Sequence, residues 1–222
     1  MMSSPLGVTV VIINFRTPDL LRRAVSSFRT HYPAAPLLLI DNGSHDGSDI
    51  AMRELWRQSP DQTRLLLNHQ NLHHGPAMDQ ALRHVQTPYV LFLDSDCEVL
   101  KEGLVERMID VAHSDESHYA IGKKIFMNKR GFDVAESEDA TPYIRPICML
   151  VHRERYLSLP PFERHGAPCL TNMCAATARG LTLIHFPVEE YVVHLGRGTA
   201  SIHGYRLGLR GRFNHFLNRL GL

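Results

Sequence analysis

Apolar and polar positions alternate in blocks along the first hundred residues. Val8–Phe15 (VTVVIINF) is a β-branched apolar run, the pattern of a strand buried on both faces. Thr17-Pro18-Asp19 then reads as a helix start: an N-cap, a proline at the first helical position and an acid in the first turn. Leu20, Leu21, Ala24, Val25 and Phe28 follow as an apolar stripe at helical spacing. Pro36–Asp41 predicts a second strand and runs into DNGSHDGS, a dense turn signal. Ser48–Gln58 predicts a helix, Thr63–Asn68 a third strand, Ala77–Val85 a helix and Pro88–Asp94 a fourth strand. A helix is expected near Glu102–Ala112.

Beyond residue 120 the alternation loosens. Tyr119–Phe126, Arg145–His152, Leu181–Pro187 and Glu190–Gly196 predict strands, and Met173–Arg179 a helix closed by Gly180. No repeat or linker interrupts the chain. Strand–helix alternation predicts a parallel sheet with helices on its faces. Ligands of such sheets bind beyond the carboxyl ends of the strands. Here those ends carry Asn14, Asp41, Asn68 and Asp94, which points to one shared polar cleft.

Composition narrows the class. The chain has 222 residues and a net charge of +1, which suits one ordinary globular domain and argues against a nucleic-acid partner. Four cysteines without metal or disulfide spacing read as reduced thiols, and the short apolar N-terminal run lacks the basic flank of a signal peptide. A cytoplasmic protein is expected.

The candidate chemistry centres on Asp94-Ser95-Asp96. Two acids at a strand end cap a turn, or they hold a hard cation that in turn binds phosphate oxygens. Asp41 likewise either caps its own turn or accepts a hydrogen bond from a ligand, and His194 is either a backbone-bonded strand histidine or a metal ligand.

The order of motifs resembles glycosyltransferase family 2, inverting enzymes of GT-A fold. The matching stretches are Asn14-Phe15-Arg16 before Thr17-Pro18, the acidic turn Asp41–Ser48, the loop Asn71–Asp79, Asp94-Ser95-Asp96, and His194 ahead of a Gly- and Ser-containing segment. The resemblance runs from Val8 to about Ser201. It implies one α/β GT-A domain. A Rossmann-like nucleotide-sugar half with a mostly parallel sheet spans about 8–100, a smaller mixed acceptor-side half spans about 101–202, and 203–222 follows as a basic amphipathic segment.

Roles follow from the resemblance. Ile13, Asn14 and Phe15 would line the base pocket, and Asp41 would accept from a pyrimidine N–H. Asn71, Gly75 and Asp79 would border the nucleotide-sugar. Asp94, with Ser95, would face the ribose and donor sugar. Asp96, His194 and Asp94 would hold Mn²⁺ or Mg²⁺. The donor would be a nucleotide-diphosphate sugar, UDP-linked, and the acceptor a carbohydrate, a lipid-linked sugar or another hydroxyl compound.

Two departures stand out. The acidic pair that such enzymes place before a Gly-terminated helix falls here on Pro168-Cys169, and no Asp or Glu lies between Glu163 and Glu189. His165 and Glu163 are the replacement bases, His165 being nearer the matching position. A protein that binds nucleotide-sugar without efficient transfer is the alternative. A sugar-phosphate nucleotidyltransferase is a further one, although the segment after the first strand is no Gly-rich phosphate loop. The second departure is in the loop: the pattern's Asn-x-Gly reads Asn71-Leu72-His73 and its later Asn reads Asp79, and His73-His74 form an adjacent histidine pair. Adjacent loop histidines rarely converge on one ion, so they are placed at the nucleotide or sugar rim. Finally, Arg206, Arg210, Arg212 and Arg219 are interleaved with Leu and Phe in 203–222. Such a segment packs on its own domain, pairs two copies, or touches the inner membrane surface peripherally.

Overall fold

The computed structural model describes residues 7–128, 131–164 and 166–196. His165 and the segment 203–222 therefore lie outside the described residues. The first half follows the predicted order: β1 (Val8–Asn14), α1 (Pro18–His31), β2 (Leu37–Asp41), α2 (Ser48–Gln58), β3 (Thr63–Leu67), α3 (His74–His84) and β4 (Tyr89–Leu93). A short β5 (Cys97–Val99) and α4 (Leu104–His113) come next. The second half holds β6 (His118–Met127), β7 (Asp133–Val134), β8 (Thr141–His152), α5 (Arg153–Leu157), α6 (Leu170–Ala178), β9 (Thr182–His185) and β10 (Val192–His194).

The main sheet has the order β3-β2-β1-β4-β8-β6-β7, with β9 paired to β6. β3, β2, β1 and β4 are parallel, while β8 runs antiparallel to both β4 and β6. β1, β2 and β4 are the interior strands of the parallel part. β2 and β4 are buried at every position and β1 at all but one, so the unbroken apolar runs are what a sheet covered on both faces requires. Two apolar layers form on its faces: α1 and α4 pack over Val10, Ile12, Leu37 and Leu91, and α3 and α6 over Val11, Leu38, Val90 and Met149.

Three local departures from the predicted elements matter for the site. First, α3 starts at His74, three residues before the expected start. Gly75 and Pro76 read as loop residues, but a proline in the first helical turn loses no intrahelical hydrogen bond. Second, β8 is longer than expected and bulged. Its pairing with β6 jumps from Met149 to Ile144 across Gly122–Lys124, so residues 145–148 bow out of the ladder. The bow brings the Ile147 carbonyl to 2.9 Å from the Asp94 amide, which donates to it. Third, β5 and β10 form a separate two-stranded sheet with His194 opposite Cys97. The Leu195 amide donates to the Asp96 carbonyl at 2.9 Å, tying the end of the described chain to the acidic turn.

Candidate active site

The strand ends form one polar row. In register, Asn14 of β1 stands beside Asp41 of β2. The Asn14 amide donates to Asp41 Oδ1 and to Ser44 Oγ, both at 3.3 Å. The Ser44 amide donates to Asp41 Oδ2 at 3.0 Å, so Asp41 does cap its own turn, and it is buried. The Ser44 hydroxyl also donates to Asp41 Oδ1, and since a carboxylate accepts about four hydrogen bonds, these three leave room for one ligand N–H. Thr17 occupies the N-cap position of α1 but makes no side-chain cap bond. Its hydroxyl instead donates to Asn14 Oδ1 at 2.9 Å and lies 3.3 Å from Ser95 Oγ. The helix cap is thus diverted to link Asn14 with the acidic turn. Phe15 and Arg16 continue the row: the Arg16 guanidinium lies over the Phe15 ring and its Nε donates to the Ser44 carbonyl.

At the far end of the row sit Asp94, Asp96 and His194. One ligand atom from each lies within 4.8 Å of the others, and His194 Nε2 is 3.2 Å from Asp96 Oδ1. Burial, then the neighbouring Asp96 carboxylate, push the Asp94 carboxyl up to about 8. The hydrogen bond to Asp96 raises His194, against the opposing pull of burial. Ser95, between the two acids, is buried.

The loop before α3 is pinned to the β2 turn. Asn42 donates to Asn71 Oδ1 at 3.1 Å and to the His73 carbonyl at 3.3 Å, and it accepts from the Leu72 amide and from Asn68. Asn71 also receives the His73 amide at 2.7 Å. Its carboxamide oxygen is thus committed to shaping the loop. Gly75 is packed so closely that a Cβ there would meet the Glu163 carbonyl oxygen at 2.2 Å and Pro168 Cβ at 2.9 Å. The structure does not bring Asp79 into the strand-end row. It binds Arg83 through both oxygens at 3.0 Å and accepts from the Tyr156 hydroxyl at 2.7 Å, joining α3 to α5. Ile13 lines a narrow apolar recess with Val11, Phe92, Leu93, Asp94 and His74.

Glu163, whose backbone packs against Gly75, is exposed and accepts from Thr171 Oγ1 at 2.8 Å. Pro168 and Cys169, at the position expected for an acidic pair, are buried. Burial raises the Cys169 thiol far above its ordinary range, which suits packing and not nucleophilic chemistry. All four cysteines are free. Among the described residues, no helix is long and apolar enough to cross a membrane.

A sequence profile described as glycosyl transferase family 2 matches residues 9–179. The chain belongs to glycosyl transferase family 2. No curated protein matches the sequence of this family 2 chain. Its fold is that of the GT-A glycosyltransferases. The mannosyltransferase PcManGT of Pyrobaculum calidifontis, solved with GDP-Man and Mn²⁺, aligns at TM-score 0.63 and 22% identity, covering 81% of this chain and 54% of its own. GalNAc-T7, solved with UDP, GalNAc and Mn²⁺, aligns at TM-score 0.65 and 14% identity, covering 84% of this chain and 42% of its own. The glucosyl-3-phosphoglycerate synthase of Mycobacterium tuberculosis, solved with Mn²⁺, UDP and glucosyl-3-phosphoglycerate, aligns at TM-score 0.56 and 16% identity, covering 82% and 74%. At these identities the likeness establishes the fold. The family 2 chain spans about half the length of the first of these structures.

The acid cluster of this family 2 chain fits a divalent cation. Two carboxylates and an imidazole are already convergent, and the pairing of Asp94 with Asp96 is a repulsion that positive charge relieves. A pH dependence follows for the metal-free protein. Asp94 has a folded pKa raised to about 8, so its stability contribution is present at low pH and lost as pH rises through about 8. His194 is also raised and acts in the same direction. His74 is lowered from 6.5 to about 4 by burial, so it acts oppositely, but only below pH 6.5. EDTA-treated protein is therefore expected to lose melting temperature between pH 6.5 and 8, and Mn²⁺ to remove most of that slope. A flat melting profile across this window in EDTA would contradict the assignment.

Proposed function

We propose that this chain is a metal-dependent, inverting glycosyltransferase that moves a sugar from a nucleotide-diphosphate sugar, UDP-linked, to a hydroxyl acceptor. The observation that carries the reading is the convergence of Asp94, Asp96 and His194 at one end of a row that begins at Asn14 and Asp41. The two ends divide the donor between them. Asp41, with Ile13, Asn14 and Phe15, receives the base, and the free acceptor capacity of Asp41 suits the uracil imide N–H. Asp94, with Ser95, faces ribose and sugar. Asp96, His194 and Asp94 hold the cation, and the imidazole nitrogen in this set favours Mn²⁺ over Mg²⁺, which keeps to oxygen ligands. The bound ion supplies charge neutralisation of the leaving diphosphate.

In this reading residues of about 8–100 bind the donor and those of about 101–202 receive the acceptor, a carbohydrate, lipid-linked or other hydroxyl compound. Proton removal from the acceptor falls to Glu163 or His165. Glu163 spends one hydrogen bond on Thr171 and remains exposed, so its carboxylate keeps free acceptor positions. The burial of Pro168 and Cys169 supports a second reading, donor binding with little transfer.

A melting-temperature screen tests the proposal. UDP or a UDP-sugar at a hundredfold its dissociation constant is expected to stabilise the fold by about 2.7 kcal/mol with Mn²⁺, which is about 5–10 °C for a domain of this size. Without Mn²⁺ the shift should be small. Slow Mn²⁺-dependent donor hydrolysis separates transfer from binding alone. Absence of any nucleotide-dependent shift would sink the reading.

A further inference from the structure

His74 is held more firmly than a rim residue needs. Its neighbour His73 adopts a φ of 69°, a left-handed conformation costly for a side-chain-bearing residue. The Asn42 and Asn71 side chains fix His73 through its carbonyl and its amide. On the other side Gly75 is locked against the Glu163 carbonyl and Pro168. These constraints leave the His73 side chain exposed and turn His74 inward, to the recess between Ile13, Phe92 and Asp94. The His74 ring is about a third exposed, but its Nε2 is buried and has no hydrogen-bond partner. The nearest acceptor is Asp94 Oδ1 at 3.8 Å, beyond hydrogen-bond range. Buried polar atoms are rarely left unsatisfied in a native fold, so the His74 nitrogen calls for a partner from outside the chain.

The separation fits a definite occupant. A hydroxyl oxygen bonded at ~2.8 Å to two groups at the tetrahedral angle holds them about 4.6 Å apart. A ring turn of less than an ångström opens 3.8 Å to that span, and about a third of the His74 side chain is exposed. A phosphate oxygen suits the gap poorly, because once the cation holds Asp94 ionised it has no proton to donate to the carboxylate. A hydroxyl both accepts from the imidazole N–H and donates to the carboxylate.

We propose that His74 and Asp94 together bind one hydroxyl of the transferred sugar and that His74 is a specificity-determining residue for the donor. The assignment rests on the glycosyltransferase reading above and deepens it.

The test compares UDP-glucose, UDP-N-acetylglucosamine and GDP-mannose, and the singly deoxygenated forms of whichever binds best, on wild type, His74→Phe and His74→Gln. Calorimetry with Mn²⁺ gives donor and free-nucleotide affinities, and turnover gives kcat/KM. For wild type, one deoxygenation is expected to cost about a hundredfold, the upper worth of a hydrogen bond to a charged group. For His74→Phe that same deoxygenation should cost less than threefold, and free UDP or GDP should bind as it does to wild type. His74→Gln, which keeps a donor, should restore part of the discrimination. Equal loss of free-nucleotide affinity in His74→Phe, or unchanged discrimination at every hydroxyl, overturns the proposal. A His74→Phe protein that melts far below wild type while His74→Gln shows no selectivity change overturns it too. If wild type binds neither UDP nor GDP with Mn²⁺, the functional reading itself fails, and the proposal with it.

Discussion

Asp96→Asn is expected to lower sugar transfer about a thousandfold while leaving the melting temperature of the metal-free protein unchanged or raised. The two effects have one origin. Asp96 is buried beside Asp94, and its carboxylate disfavours ionisation of Asp94. An amide of the same shape still accepts from His194, and the backbone bond from the Leu195 amide to the Asp96 carbonyl is untouched. The fold therefore keeps its contacts and loses a repulsion. The site loses one of two negative ligands, and electrostatic groups of this kind are worth about 10²–10³ in rate when they act alone. Removing a carboxylate that also recruits the ion places this variant at the upper end. Kinetics at saturating Mn²⁺, with melting curves at pH 7.5 in EDTA, check both halves. Transfer above a tenth of wild type would remove Asp96 from the metal site. A large drop in melting temperature would mean that its role is structural.

Why the acids were visible in the sequence, and other parts of the site were not, has a physical reason. Asn14, Asp41 and Asp94 each end an apolar run whose neighbours in the sheet follow from strand–helix alternation, so their convergence is a consequence of topology. His194, named in the sequence through the family resemblance and not through any local pattern, reaches the cluster through a different device. β5 and β10 are three residues each, too short to show any periodicity, and their pairing joins segments almost a hundred residues apart. Nothing local in VVH announces Cys97 as a partner. The bow in β8 is similar: Arg145–His152 reads as a plain strand, yet residues 145–148 lose their β6 partners and hand the Ile147 carbonyl to Asp94. Thr17 carried the opposite kind of signal, a correct cap position whose hydroxyl is spent elsewhere. His74 was readable only as half of a pair. Which of two adjacent histidines turns inward is decided by backbone angles that the letters do not carry.

Gly43→Ala should be among the most damaging small substitutions in the chain, costing about 3 kcal/mol, or about 6–12 °C in melting temperature for a domain of this size. Two costs add. Gly43 has a φ of +74°, a conformation that costs an L-residue about 1–2 kcal/mol. Its added Cβ would also lie 2.3 Å from the Gln70 carbonyl carbon and 2.6 Å from the Asn71 nitrogen. Those are backbone atoms, so relief requires the whole 68–73 loop to shift, an overpacking cost of about 1–3 kcal/mol. Gly47 of the same turn supplies the control. It has a φ of +86° but nothing within 4 Å of its Cβ position, so Gly47→Ala should show the backbone cost alone, about 1–2 kcal/mol. Urea unfolding of the two variants isolates the contact between turn and loop, and equal losses would show that no such contact exists. The difference should also be read in function. Asn42, next to Gly43, is what holds Asn71, Leu72 and His73, and through them His74. A loop pushed away at Gln70 and Asn71 drags that support with it. Gly43→Ala is therefore expected to weaken donor binding more than free-nucleotide binding, whereas Gly47→Ala should weaken neither.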